Sequence, residues 1–301
     1  SGAKAQENAA EGKTFEEQSG ALRTALHYDP SLGQPLKALV ELYEKSERVD
    51  ELLGLYRAHV SQYPDDAGAQ VVLIRLLKHL QRPEAMELLQ RAVQQFPDQA
   101  SLQYLQFEWY EKSDDDRALA TLSKAVDLQS NPDRRDTWLE QLLELSRETG
   151  DDEVAKKHLI AMQEASGTDV GSLVATAQRM HRYDFHQLAI ETLQQAKAET
   201  LEPEMRVDVE MLLAKSEAAT GQRAEAGERI GSLLSTVAPD YWRRRELMTL
   251  RLQLVESPDE RKKLLAAAQQ AHDSASGVAA ESTALDYAEM LAIVGRRAEA
   301  A

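Results

Sequence analysis

Four short clusters in this sequence carry residue types capable of chemistry. His181, Asp184 and His186 could ligate zinc. Gly12-Lys13-Thr14 ends like a phosphate-binding loop. Asp114-Asp115-Asp116 and Asp151-Asp152-Glu153 have the carboxylate density of a calcium site. The spacing fails in each case. The two histidines are five apart, at a turn between helices rather than on one helical face. The glycine a phosphate loop needs five residues before Gly12 is Glu7, and no strand precedes it. The acidic runs lack calcium-loop alternation and sit where helices begin, where carboxylates favour the positive end of the dipole. There is no cysteine, which excludes thiol catalysis, disulfides and cysteine-ligated zinc. The expectation is a protein with no catalytic residues, no metal and no cofactor.

The elements that would have to position any site are helices. The 301 residues are 43% hydrophobic, 29% charged and only 5% aromatic. Alanine, leucine, glutamine and glutamate dominate, and all are good helix formers. No alternating run of strand length is present. A net charge of −16 disfavours nucleic acid and anionic lipid, because both require a positive field. No apolar run approaches the roughly 18 residues of a membrane helix, so no direct membrane insertion is expected.

The helices recur with a fixed period. Thr14 and Glu17 form a capping box for a helix that stops at Asp29-Pro30. Pro30, Pro64 and Pro97 then close successive units at steps of 34 and 33. Ala85, Ala118, Ala155, Ala189 and Ala226 mark the second helix of successive units. Each is followed four residues later by a large apolar side chain: Leu89, Leu122, Leu159, Leu193 and Ile230. Three further on stand Ala92, Ala125, Met162, Ala196 and Leu233. Small residues there let two helices approach closely, and one such hairpin cannot bury its apolar face without neighbours.

This pattern resembles the tetratricopeptide repeat family over about residues 14–301. It is carried most fully by Leu36, Leu39, Tyr43, Tyr56 and Pro64, then by Leu73, Ile74, Leu77, Ala85, Leu89, Ala92 and Pro97. The resemblance implies an all-α fold, a right-handed solenoid of tandem antiparallel helix hairpins forming a single superhelix. The approximate repeats are 33–66, 67–98, 99–135, 136–169, 170–206, 207–241 and 242–280, with partial units at 1–32 and 281–301. The closing proline is lost after Pro97. The unit Tyr241 to His272 fits worst, with Glu260 or Arg261 where alanine is expected and a separate capping box at Ser257-Pro258-Asp259-Glu260. Gly295 to Ala300 echoes Gly221 to Ala226, the turn into a second helix, 74 residues earlier, with Arg296 in place of Gln222. The expectation is therefore a fragment of a longer array. Its last helix, with Leu285, Met290, Leu291 and Ile293, is expected to fray or to self-associate.

The resemblance implies a non-catalytic scaffold that binds a peptide or protein along the concave face lined by first helices. The alternative is the repeat arm of a larger bacterial envelope or export assembly, or of a multidomain enzyme. Cysteine absence and alanine, glutamine and arginine usage lean toward a bacterial source, cytoplasmic or periplasmic. Residues two positions before or after the core leucine of each first helix should face the groove. With those one turn further on, this selects Arg75, Lys78, Gln103, Phe107, Tyr110, Arg147 and His181 as partner-binding candidates. Phe107 and Tyr110 are placed off the core face and Trp109 on it. The lysine and asparagine pair with which some family members grip a peptide carboxylate is absent, since Glu41 follows Lys37 and the next unit offers Val71 and Arg75.

Overall fold

The computed structural model describes residues 14–196, 201–238 and 241–295. The expected helix at 3–11, the Gly12-Lys13 dipeptide and the end of the chain beyond Gly295 lie outside the described residues. Among the described residues there are sixteen α-helices and no strand. The chain divides into two compact units, Ser1–Val154 and Ala155–Ala301.

The first unit holds α1 (Phe15–Tyr28), α2 (Gly33–Lys45), α3 (Val49–Gln62), α4 (Ala67–His79), α5 (Glu84–Gln95), α6 (Ala100–Tyr110), α7 (Asp115–Leu128) and α8 (Pro132–Thr149). The boundary falls in the first turn of α9 (Asp152–Ser166). The second unit continues with α10 (Val170–Arg182), α11 (His186–Gln194), α12 (Pro203–Ala219), α13 (Arg223–Thr236), α14 (Arg244–Leu254), α15 (Pro258–Ser274) and α16 (Val278–Ile293). The architecture is the all-α solenoid of tandem antiparallel hairpins that the tetratricopeptide resemblance implies.

Local chemistry sets the helix ends. The Thr14 hydroxyl accepts from the Glu17 N–H at 3.3 Å, and the Glu17 carboxylate accepts from the Thr14 N–H at 2.8 Å. Asp66, Asp114, Asn131 and Asp169 each accept the N–H three residues on, at 2.8–3.0 Å. The acidic run at Asp114 is thus a cap, for which one free N–H per helix is a sufficient reason. Ser257 caps α15 in the same way at 3.4 Å. The turns inside hairpins need one left-handed residue. Gly150 and Gly221 supply it at φ 74° and 90°, while Glu47, Gln81 and Asp184 adopt φ of 57°, 53° and 68° despite carrying side chains.

Packing follows the alanine periodicity. Ala85, Ala118, Ala155, Ala189 and Ala226 are all 0% exposed, as are Leu89, Leu122, Leu159, Leu193 and Ile230. In the first unit, Leu26, Leu39, Tyr43, Leu53, Leu73 and Leu77 form one continuous core, and Ile74, Leu89, Leu102 and Leu105 form the next. At α15 the expected alanine position is indeed occupied by exposed residues, Glu260 and Arg261. The helix packs instead through Leu265 and Ala268, against Leu252, Met290 and Leu291. Of the apolar residues of α16, Met290 and Leu291 are buried, while Leu285 and Ile293 remain exposed.

Candidate functional site

The first helices of the first unit carry most of the candidate residues, and α4, α6 and α8 position them. The expectation that residues two before the core leucine face a groove fails in α4 and α6, where Val71 is 0% exposed and Gln103 is 2% exposed, while Lys37 of α2 is exposed and Glu140 of α8 half-buried. A first helix in such an array is flanked by a hairpin on each side, so two of its faces are packed. The Gln103 amide donates to the Pro97 carbonyl at 2.8 Å. Gln70, 33 residues earlier, does the same to the Pro64 carbonyl at 2.9 Å, with Gln95 joining at 3.0 Å. These glutamines satisfy loop carbonyls that burial would otherwise leave without a partner.

The third closing proline is held differently. The Arg75 guanidinium donates to the carbonyls of Pro30 at 2.5 Å and Leu32 at 3.1 Å. Arg134, at the start of α8, forks onto both carboxylate oxygens of Asp29 at 2.6 and 3.3 Å. Burial raises the Asp29 carboxyl, but hydrogen bonds from Arg134 and Ser31 more than offset it, so its pKa lies below the ordinary value. The α1–α2 loop is thereby fastened to α4 and to the start of α8. Burial lowers the pKa of Arg75 as well, without bringing a guanidinium near neutrality.

Phe107 is 4% exposed, contrary to its expected place off the core face. Trp109 is partly buried and packs against both neighbouring cores. Tyr104, like Tyr110, is half-buried. Its ring stacks on Trp138 of α8, centroids 4.4 Å apart and planes within 10°. Its hydroxyl donates to Gln141 Oε1 at 3.0 Å. Burial pushes the Tyr104 phenol up, so it stays a neutral donor at all ordinary pH values. Lys78 of α4 donates to Glu108 of α6 at 2.7 Å. Tyr110 faces the guanidinium of Arg117 at 5.4 Å, and Arg147 pairs with Glu144 one turn away.

Lys78, Glu108, Tyr104 and Gln141 thus link three consecutive first helices with half-exposed polar groups, and three of them were not singled out from the sequence. The missed signal is spacing: Tyr104 and Glu108 are four apart on α6, seven and three residues before the turn at Glu111.

His181 lies in the second unit, near the end of α10. Its Nδ1 is 3.0 Å from the buried Ser216 hydroxyl and 3.2 Å from Nδ1 of His186. Burial, then the charges of His186 and Lys215, depress its pKa against the opposing pull of Asp184. Among the described residues no group of three or more histidine, aspartate or glutamate side chains is placed to hold a metal. No described helix is long and apolar enough to cross a membrane.

No family model matches the chain, and no curated protein matches it either. Solved structures similar to it include Naa15/Naa10 bound to HypK-THB, at 15% identity and TM-score 0.45, covering 92% of this chain and 44% of that one. Yeast Tom70 is similar at 10% identity and TM-score 0.34, covering 95% and 58%. A thermophilic TPR protein of Thermus thermophilus is similar at 19% identity and TM-score 0.24, covering 73% and 95%. The chain thus spans about half the length of the first two. The fold assignment rests on the helix order and buried alanines above.

Proposed function

We propose that this chain is a non-catalytic scaffold that binds an extended segment of another protein along the first-helix face of its first unit. One observation carries the reading. The strip from Lys78 and Glu108 through Tyr104 to Gln141 crosses α4, α6 and α8 with side chains already ordered by one another. A surface whose rotamers are fixed before binding loses less entropy on association. Tyrosine and arginine are the side chains that most often anchor such contacts.

Lys78, Tyr110 and Arg147, with Tyr104, make direct contact in this proposal. Gln103 and Phe107 support the strip from beneath, and Arg75 holds the loop beside it. His181, in the second unit, is a separate polar position and not a member of the strip. The partner chemistry that fits is an apolar segment with polar groups of both signs, since Lys78 and Arg147 are each paired with a glutamate.

A photo-crosslinking side chain placed at Tyr110 or Gln141 should capture a partner polypeptide from the source cell. The same group at Asp115, on an exposed second-helix position, should capture little. Capture from Asp115 alone would place the partner on the other face and overturn the proposal.

A further inference from the structure

The first unit contains a cavity of about 270 Å³ away from the strip, formed where α1, α3 and the start of α4 meet. Leu26, Leu55, Tyr56 and Val72 make its apolar wall, and Arg23, His27, His59 and Asp66 supply polar groups. The acid is already committed. Asp66 caps α4 through the Ala69 N–H at 2.9 Å and meets His59 Nε2 at 2.9 Å. Burial raises its carboxyl, but those bonds leave it below the ordinary value. Arg23 differs: its Nε is buried and has no hydrogen-bond partner. Glu51, the carboxylate that feels Arg23 electrostatically, is bonded bidentately to Arg48 at 2.7 Å. Tyr56 cannot serve as the missing anion, because burial pushes its phenol up to about 12.

Exposed apolar side chains border the cavity. Leu55, 41% exposed, lines it, and Tyr28 at 83% and Tyr63 at 51% adjoin two of its lining histidines. Tyr63 packs on the His59 ring at 4.9 Å, and Tyr28 meets His27 edge-on at 5.6 Å. Exposed apolar groups gathered at one opening mark a contact site more often than the same groups scattered singly.

We infer that this cavity is a docking pocket for an apolar side chain next to a carboxylate, presented by an acidic partner peptide. The apolar group enters between Leu26, Leu55 and Val72, and the carboxylate accepts from the guanidinium of the half-buried Arg23. Asp66 is taken up by the Ala69 N–H and His59, so the group left to recognise a ligand is the Arg23 guanidinium, and charge-assisted bonds in a partly desolvated site are the strong ones. The inference adds a second surface to the scaffold reading and rests on that reading only for the class of partner, a polypeptide.

The probe is the peptide acetyl-Gly-Leu-Asp-Gly-amide, with its asparagine counterpart as the neutral control. Methyl NMR of the full chain should show saturable shifts at Leu55 and Val72 with the aspartate peptide and at least about tenfold weaker binding of the asparagine one, equivalent to about 1.4 kcal/mol. Arg23→Gln should erase that difference with the helical circular dichroism unchanged. Tyr110→Ala should leave the pocket shifts as they are. Absence of saturable shifts, equal binding of the two peptides, or a preference that survives both Arg23→Gln and Arg23→Met would each overturn the inference. None of these outcomes bears on crosslinking from Tyr110 or Gln141, so failure of the pocket is distinguishable from failure of the strip.

Discussion

The two units solve the same burial problem with different chemistry. Among the described residues, the buried polar side chains of the first unit are Ser19, Gln70, Gln103 and Ser146, all neutral. In the second unit they are His158, Thr176, Thr192, Ser216, Glu217 and Asp286, which include two carboxylates. The first unit retains the closing prolines and satisfies the carbonyls of Pro64 and Pro97 with amide side chains and that of Pro30 with the Arg75 guanidinium. Past Pro97 the closing prolines are gone, and in the second unit a paired carboxylate, Glu217, is itself buried. Arg229 forks onto both oxygens of Glu217 at 2.9 and 2.6 Å and reaches Glu210 at 2.7 Å. A hydrogen-bonded neutral amide costs less to bury than an ion, and here it specifies a loop position. Buried ions cost much more and are tolerated only when fully paired.

That contrast is easiest to break at Glu217. Glu217→Ala should destabilise the second unit by about 3 kcal/mol in urea denaturation, because it leaves Arg229 with one partner instead of two. Replacing both Glu217 and Arg229 by leucine should cost far less. A double variant as unstable as the single one would mean that the pair is intrinsically stabilising.

The alanine positions should show no contrast. Ala118→Leu in the first unit and Ala189→Leu in the second should each cost about 1–3 kcal/mol, since both alanines are fully buried at the same place in a hairpin. A large difference between them would show that one unit is loosely packed.

Gln103→Ala should cost about 1–2 kcal/mol, the penalty for leaving a buried carbonyl unpaired. Loss of partner binding without loss of stability would instead make Gln103 a contact residue.

Acid separates the units further. The folded-state pKa of His181 is depressed, so the unfolded chain takes up the proton first. Its contribution is present above the unfolded value, about 6.5, and is lost as pH falls below it. Asp29 is also depressed, but from the carboxylate range, so its contribution persists until pH falls below about 4. Protection factors, which allow for the slower intrinsic exchange in acid, should therefore fall in α10–α12 between pH 7 and 5 while those of α4–α8 hold. Asp286, raised by burial against the opposing pull of Arg245 and Arg244, acts in the opposite sense. His181→Gln isolates the imidazole: acid sensitivity that remains in this variant would assign the effect elsewhere.

The smallest expected change is a gain. Gln81→Gly should stabilise the α4–α5 turn by up to about 1 kcal/mol, because glycine adopts the left-handed conformation without a Cβ penalty.

The fold was legible because it is repeated. A single alanine with leucine or isoleucine four residues on means little, but five copies at steps of 33–37 fix which helix faces are buried, and all five alanines are enclosed. The candidate site was less legible. Gln103 and Phe107 read as surface because sequence spacing identifies the face toward the same hairpin but not the face toward the next. Tyr104 was missed as the stacking residue because its partner, Trp138, is 34 residues away on another helix. The cavity at Arg23 left no periodic trace at all. It forms where three elements meet, and its signature is a buried guanidinium Nε without an acceptor, which arises only in the folded chain.

The scaffold reading stands most directly on where a bound segment leaves its footprint. Amide exchange should be compared with and without a partner segment captured from Tyr110 or Gln141. The account predicts added protection confined to Ala67–His79, Ala100–Tyr110 and Pro132–Thr149. Added protection confined to Glu84–Gln95 and Asp115–Leu128 would place the partner on the second helices and contradict it.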